Sequence, residues 1–252
     1  MRPLNLLEND RSKLTREEWN LLSNIIHAYD ATEIMSHTKQ SFDNQSSLPP
    51  KIRWKMSTVF YLIKQIHSTF QIFIERTPQY QYLSARSCRA IVQRNSDLFS
   101  SINSIFILRE INAVELAVFQ ETFGLIYSQD AMQNLTGLLS RLNFDGTYIK
   151  IMLMIFAFSN TFSIVKYDSS VELTQKINWT PVFTIQNMFV TIFWKYLLYQ
   201  HGFNDAVKWF SNFVRYILDL MKITVNQRTR QHNQMINAVI EDTARLLTLK
   251  TE

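Results

Sequence analysis

Apolar positions recur three and four residues apart along most of this chain, the spacing that lines one face of an α-helix. The first run is LTREEWNLLSNIIHAYDA, residues 14–31, where Trp19, Leu22, Ile26 and Tyr29 form a stripe. Thr15 and Glu18 are spaced as a capping box at its start, and Leu14 can staple against Trp19. Residues 36–50, SHTKQSFDNQSSLPP, break the rhythm. Mostly polar and closed by two prolines, they predict a long loop. Periodicity returns over 51–76 with Val59, Leu62, Ile63, Ile66, Phe70, Phe73 and Ile74, a helix of about 39 Å if unbroken.

Pro78 ends that helix, because the residue before a proline is pushed out of the helical region and Thr77 holds that position. Tyr80 and Leu83 are apolar anchors in the connection, and Ser84 is placed to cap a second helix. From there to about Asn112, as one helix or two joined ones, run Cys88, Ile91, Val92, Leu98, Phe99 and Ile102, with Asn95 as a polar exception. Residues 113–137 mix aromatic and β-branched side chains around Gly124, which leaves room for one small β-hairpin. Helical spacing resumes over 132–142, NFDG turns the chain at 143–146, and 147–158 reads as a buried helix. A polar link then leads to a helix from about Val171 to Gln200 that Pro181 kinks. HGFND interrupts at 201–205, and a last long helix starts near Ala206. The chain is expected to be all-α, with about nine to eleven helices. Residues 1–13 read as an N-terminal extension and 14–252 as one domain.

Composition agrees. Only 4 Gly and 5 Pro are present in 252 residues, too few for the turns of a β-sandwich, and neither a dinucleotide fingerprint nor a P-loop can be written from them. The hydrophobic share of 46% excludes wholesale disorder. Cys88 is the single cysteine, which excludes an internal disulfide and a cysteine-based zinc module and suits a reducing, intracellular compartment. Residues 1–13 lack the apolar run of a signal peptide, so the sequons at Asn44, Asn134 and Asn178 read as chance matches. The net charge of +5 is dispersed, its densest groups being KIRWK at 51–55 and Lys222 to Arg230. The apolar stretches 148–165 and 183–199 are interrupted well short of the roughly 20 residues a membrane span needs, so no membrane partner is expected.

Catalytic chemistry finds little support. His27, His37, His67, His201 and His232 show no metal-ligand spacing and read as surface or satisfied core residues. Ser36 and Lys39 form a lone S-x-x-K without its companion motifs, no G-x-S-x-G exists, and Cys88 has no evident base. Met56, Met152, Met154 and Met188 are core by default, although such residues also suit an adaptable lipid pocket. Neither an enzyme nor a cofactor is expected.

Phe73, Pro78, Tyr80, Leu83 and Ser84 compose an aromatic–x4–Pro–x–aromatic–x2–Leu–Ser pattern. It resembles the connection between the third and fourth helices of nuclear hormone receptor ligand-binding domains. The capped 14–31 helix looks like that family's first helix. The Pro-Pro loop, LNFDGTYIKIMLMIF and the late FVRYILDLMKITVNQRTRQHNQM succeed one another in the family's order, so the likeness spans roughly 14–235. The resemblance implies a three-layer helical sandwich that binds a small lipophilic ligand and controls transcription in the nucleus through protein partners.

On the same basis the ligand would be lined by Ile63, Ile66, Phe70, Ile102 and Phe106, with Asn103 or Arg109 as its polar anchor. Coregulator helices would dock near Glu75, Arg76, Gln93 and Arg94. A homodimer, or a heterodimer with a related receptor, would form along the last helix. Its stripe is Phe210, Phe213, Ile217, Leu220 and Val225, or, where those pack inward, Val214, Leu218 and Met221.

The departures from the family are specific. Ser87 and Cys88 stand where Asp-Gln is usual, Glu75 replaces the common groove lysine, and Gln93 falls near the second basic position. Asn103 takes the place of a pocket arginine, and the tail DTARLLTLKTE lacks the acidic activation helix. The family's zinc module is absent, so no direct DNA contact by this chain is expected. These departures imply weak coregulator binding. They also leave an alternative, a ligand-independent dimerisation or repressor module of the same fold.

Overall fold

The computed structural model describes residues 13–115, 119–120, 133–134, 136–138, 145–159 and 178–228. The fold is all-α, and among the described residues every regular element is helical. Helix α1 (Arg16–Asp30) starts as its capping box dictates: the Thr15 hydroxyl accepts the Glu18 N–H at 3.2 Å, and the Glu18 carboxylate accepts the Thr15 N–H at 2.7 Å. Its buried face is Leu22, Ile25, Ala28 and Tyr29, slightly rotated from the expected stripe, since Trp19 and Ile26 are only half-buried.

The expected loop at 36–50 is instead mostly helix α2 (Ile34–Ser47). Ile34, Thr38 and Phe42 recur every fourth residue and are buried, while the polar residues between them face outward. Three buried positions are too sparse a stripe to read from sequence, and burial overrides the weak helix propensity of Ser and Asn. Phe42 packs on Trp54 at 4.3 Å and on Phe119 at 5.5 Å. Trp54 sits in a left-handed conformation (φ 48°) after a 3₁₀ turn, Pro50–Ile52. That bend delays α3 to Met56–Glu75, about 30 Å rather than 39 Å.

The break after α3 is the one the proline dictates. Thr77 is extended (φ −92°, ψ 129°), its hydroxyl donates to the Ile74 carbonyl at 2.6 Å, and Pro78 opens a single turn, α4 (Pro78–Gln81). Phe73 and Tyr80 are buried beside it, whereas Leu83 is only half-buried. Ser84 then caps α5 (Ala85–Glu110), accepting the Ser87 N–H at 3.2 Å, and α5 is one continuous helix.

Helix α6 (Gly146–Ala157) begins on Asp145, whose carboxylate accepts the Tyr148 N–H at 2.9 Å. It is apolar almost all round and ends inside the protein, so each carbonyl of its last turn needs a donor. All four are satisfied. The Phe158 and Ser159 N–H groups donate to Met154 and Phe156, the Gln186 amide donates to Ile155 at 3.3 Å, and Asn95 donates to Ala157 at 2.8 Å. Asn95 also donates to the Ser159 carbonyl at 2.8 Å, which explains a polar residue on the apolar face of α5.

The last helical span, Thr180–Arg228, is broken at Gly202, whose φ of 71° only glycine adopts at little cost. It comprises α7 (180–201) and α8 (203–228), so α8 starts slightly before Ala206. Pro181 lies in the first turn of α7, where its missing N–H costs nothing; it starts this helix rather than kinking it. The expected hairpin around Gly124, the link after Ser159 and the C-terminal tail lie outside the described residues, while 133–134 and 136–138 are helical, as their spacing predicts. Helix α5 packs between α3 and α6, α6 packs against α7 and α8, and α1 lies across α3 and α6. Among the described residues no helix is long and apolar enough to cross a membrane.

Asn95→Ala strands two buried carbonyls and should lower stability by about 1–3 kcal/mol or more in urea titrations. A loss below about 0.5 kcal/mol would contradict this capping role.

Candidate functional site

The residues expected to line a ligand, Ile63, Ile66 and Phe70 on α3 with Ile102 and Phe106 on α5, are all buried and belong to one core. Ring contacts join the two helices: Phe99 lies 4.6 Å from Phe70 and 5.7 Å from Phe73. Tyr29 of α1 closes the group, edge-on to Phe73 at 5.6 Å and tilted against Phe106 at 5.9 Å.

Polar chemistry inside this apolar junction centres on Asn103, which is 0% exposed. The Tyr29 hydroxyl donates to Asn103 Oδ1 at 2.6 Å, and burial holds that phenol protonated by raising its pKa. Asn103 Nδ2 and the hydroxyl of Ser100, also 0% exposed, have no hydrogen-bond partner among the described residues. Of the two proposed anchors, only Asn103 is in the core. Arg109, near the end of α5, is bonded to Glu110 at 2.5 Å, with its guanidinium 5.5 Å over the Phe106 ring. Lys150 is similarly held, by Asp30 at 2.5 Å, with its ammonium 5.3 Å over the Tyr29 ring.

His67 is a member that sequence periodicity did not single out. It is buried on α3 beside Ile63, Ile66 and Phe70, and desolvation pushes its pKa down to about 4, so it is neutral near pH 7. A lone histidine within an apolar helix carries no local signal of this. Its closest hint is its place between Ile66 and Phe70.

The expected coregulator face is less uniform. Glu75 and Arg76 are exposed at the end of α3, and Glu75 accepts from the Gln71 amide. Arg94 is half-buried with its guanidinium 4.7 Å over Trp179, and the Gln93 side chain lies outside the described residues. Exposed Ile72 on α3 and Tyr82 after α4 add apolar surface that the helical spacing did not mark. On α8, Phe213, Ile217 and Leu220 pack inward and Phe210 is half-buried. Val214 and Leu218 face solvent at 42% and 61% exposure, whereas Met221 is half-buried against the core. The Val225 side chain lies outside the described residues.

No group of His, Cys, Asp and Glu among the described residues is arranged to hold a metal ion. The Ser36 hydroxyl donates to the Glu33 carbonyl at 3.0 Å, in a helix-end role. Cys88 is buried with its thiol pKa raised chiefly by desolvation, and it donates to the Tyr80 carbonyl at 3.7 Å. No protein-family model matches the chain, and no curated protein matches it either.

Burial of neutral His67 has a measurable consequence. Between its folded pKa near 4 and its ordinary value of 6.5, the unfolded chain binds the extra proton. The stability it contributes is therefore complete above about pH 6.5 and declines toward pH 4, by about 3 kcal/mol at 1.36 kcal/mol per unit. Urea titrations across this range should show a steeper decline for the natural protein than for His67→Leu, and identical slopes would disprove the assignment.

Proposed function

We propose that this chain is a nuclear-receptor-type ligand-binding domain that takes a small lipophilic ligand and controls transcription in the nucleus through protein partners. The observation that carries the reading is the connection at 77–84. A long α3 stops at an extended threonine before a proline, one turn comes next, and a serine-capped 26-residue α5 follows. The order of elements supports it: a capped first helix, this connection, a buried α6 against α5, and a long last helix. With α1 and α3 on one side of α5 and α6, and α7 and α8 on the other, the packing suits a three-layer sandwich.

In this reading the α3–α5 junction takes the ligand and α8 the dimer contact, while coregulator helices bind weakly because Glu75 reverses the usual charge. The domain is neither an enzyme nor a direct DNA binder. Native mass spectrometry of the purified chain should reveal a lipophilic molecule of a few hundred daltons that stays bound under gentle ionisation. Bare protein, together with no thermal stabilisation by a lipid panel, would overturn the ligand-binding reading.

Exposed Val214 and Leu218 favour a second reading, a dimerisation or repressor module that works without ligand. Under it, sedimentation should show a self-associating chain and Leu218→Asp a monomer. Self-association unchanged by Leu218→Asp would remove α8 as the interface.

A further inference from the structure

Ser100 and Asn103 lie three residues apart on α5, so their side chains are neighbours on one side of the helix. Both residues are wholly buried, and both carry a polar atom without a partner among the described residues. Turning the amide does not satisfy it, because the Tyr29 hydroxyl, 2.6 Å away, can donate to Oδ1 or accept from Nδ2 but engages only one of the two atoms. Buried polar groups are almost always hydrogen-bonded, and an unpaired one is costly to a folded protein. The pair therefore calls for an oxygen that accepts from Asn103 Nδ2 and exchanges a hydrogen bond with the Ser100 hydroxyl.

The charges around the junction decide what kind of oxygen this is. Lys150, the cation over the Tyr29 ring, is neutralised by Asp30, and Arg109 is neutralised by Glu110. His67 carries no charge near pH 7 because burial depresses its pKa. With these cations compensated, a carboxylate placed against Asn103 would be a buried anion without a free counter-charge among the described residues, which is strongly unfavourable. A hydroxyl meets both orphan atoms at no such cost.

We infer that Ser100 and Asn103 form the polar end of a site for an uncharged lipophilic molecule bearing a hydroxyl group, and that the site discriminates against the corresponding acid. This rests on the ligand-binding reading above and adds the chemical class of ligand. The test compares dodecan-1-ol with dodecanoic acid, equal in chain length, for binding to the full chain at pH 7.5 by competition with a fluorescent lipid probe. The alcohol should bind, and the acid should bind about tenfold or more weakly. Asn103→Leu should lower affinity for the alcohol about tenfold. Ser100→Ala should weaken it in the same direction and keeps the test decisive if the leucine variant fails to fold. Acid binding as tight as the alcohol's would overturn the inference while leaving a lipid-binding domain. Alcohol binding untouched by Ser100→Ala and by a folded Asn103→Leu would place the site elsewhere. Binding of neither compound would overturn this inference and the ligand-binding reading together.

Discussion

Where a helix that is apolar almost all round ends inside the protein, the carbonyls of its last turn must find donors away from water. Helix α6 sets this constraint, and the rest of the described structure is arranged around its solution. Asn95 reaches it from α5 and Gln186 from α7, so the side-chain donors that finish α6 also fix the two helices flanking it. The same geometry places the apolar faces of α5 and α7 where Ile149, Met152 and Phe158 can be buried completely.

The second fixed point is the turn at Thr77–Pro78. Extended backbone at Thr77 stops α3, and Ser84 restarts the chain as α5 after a single turn. Phe73 before the break and Phe99 after it pack against one another, tilted with their ring centroids 5.7 Å apart, so a contact beyond the turn also ties α3 to α5. The turn and this contact together frame the junction between these helices. It is also unusual in content: a neutral histidine, a tyrosine–asparagine hydrogen bond and two orphan polar atoms sit among phenylalanines and isoleucines. Polar atoms in such a place are retained at a cost in stability, which is the physical basis of the binding role proposed for this junction.

Much of the candidate site was legible before the fold. Burial of Ile63, Ile66, Phe70, Ile102 and Phe106 follows from three-and-four spacing alone, and so does the split of α8 into inward Phe213 and outward Leu218. The polar members were harder to read. Asn103 was visible only as one of two anchors, His67 only as one of five histidines read as surface or satisfied core residues, and Ser100 not at all. Whether a serine or histidine on a helix is solvated or stranded depends on what packs over it, which local sequence does not record.

The sequence by itself determined the helical class, the Thr15–Glu18 and Ser84 caps, and the breaks at Pro78 and in the segment holding Gly202. Each is a short-range effect, of hydrogen bonds three or four residues apart or of one residue's permitted backbone angles. Only the tertiary structure decided that 34–47 is helical, that α3 waits for the Trp54 bend, and that Pro181 starts a helix rather than bending one. It alone joined Tyr29 to Asn103 across 74 residues, Asp30 to Lys150 across 120, and Glu18 to Lys195 across 177. Those pairings depend on where one helix crosses another, and the crossing is set by the summed packing of many side chains rather than by any short stretch of chain.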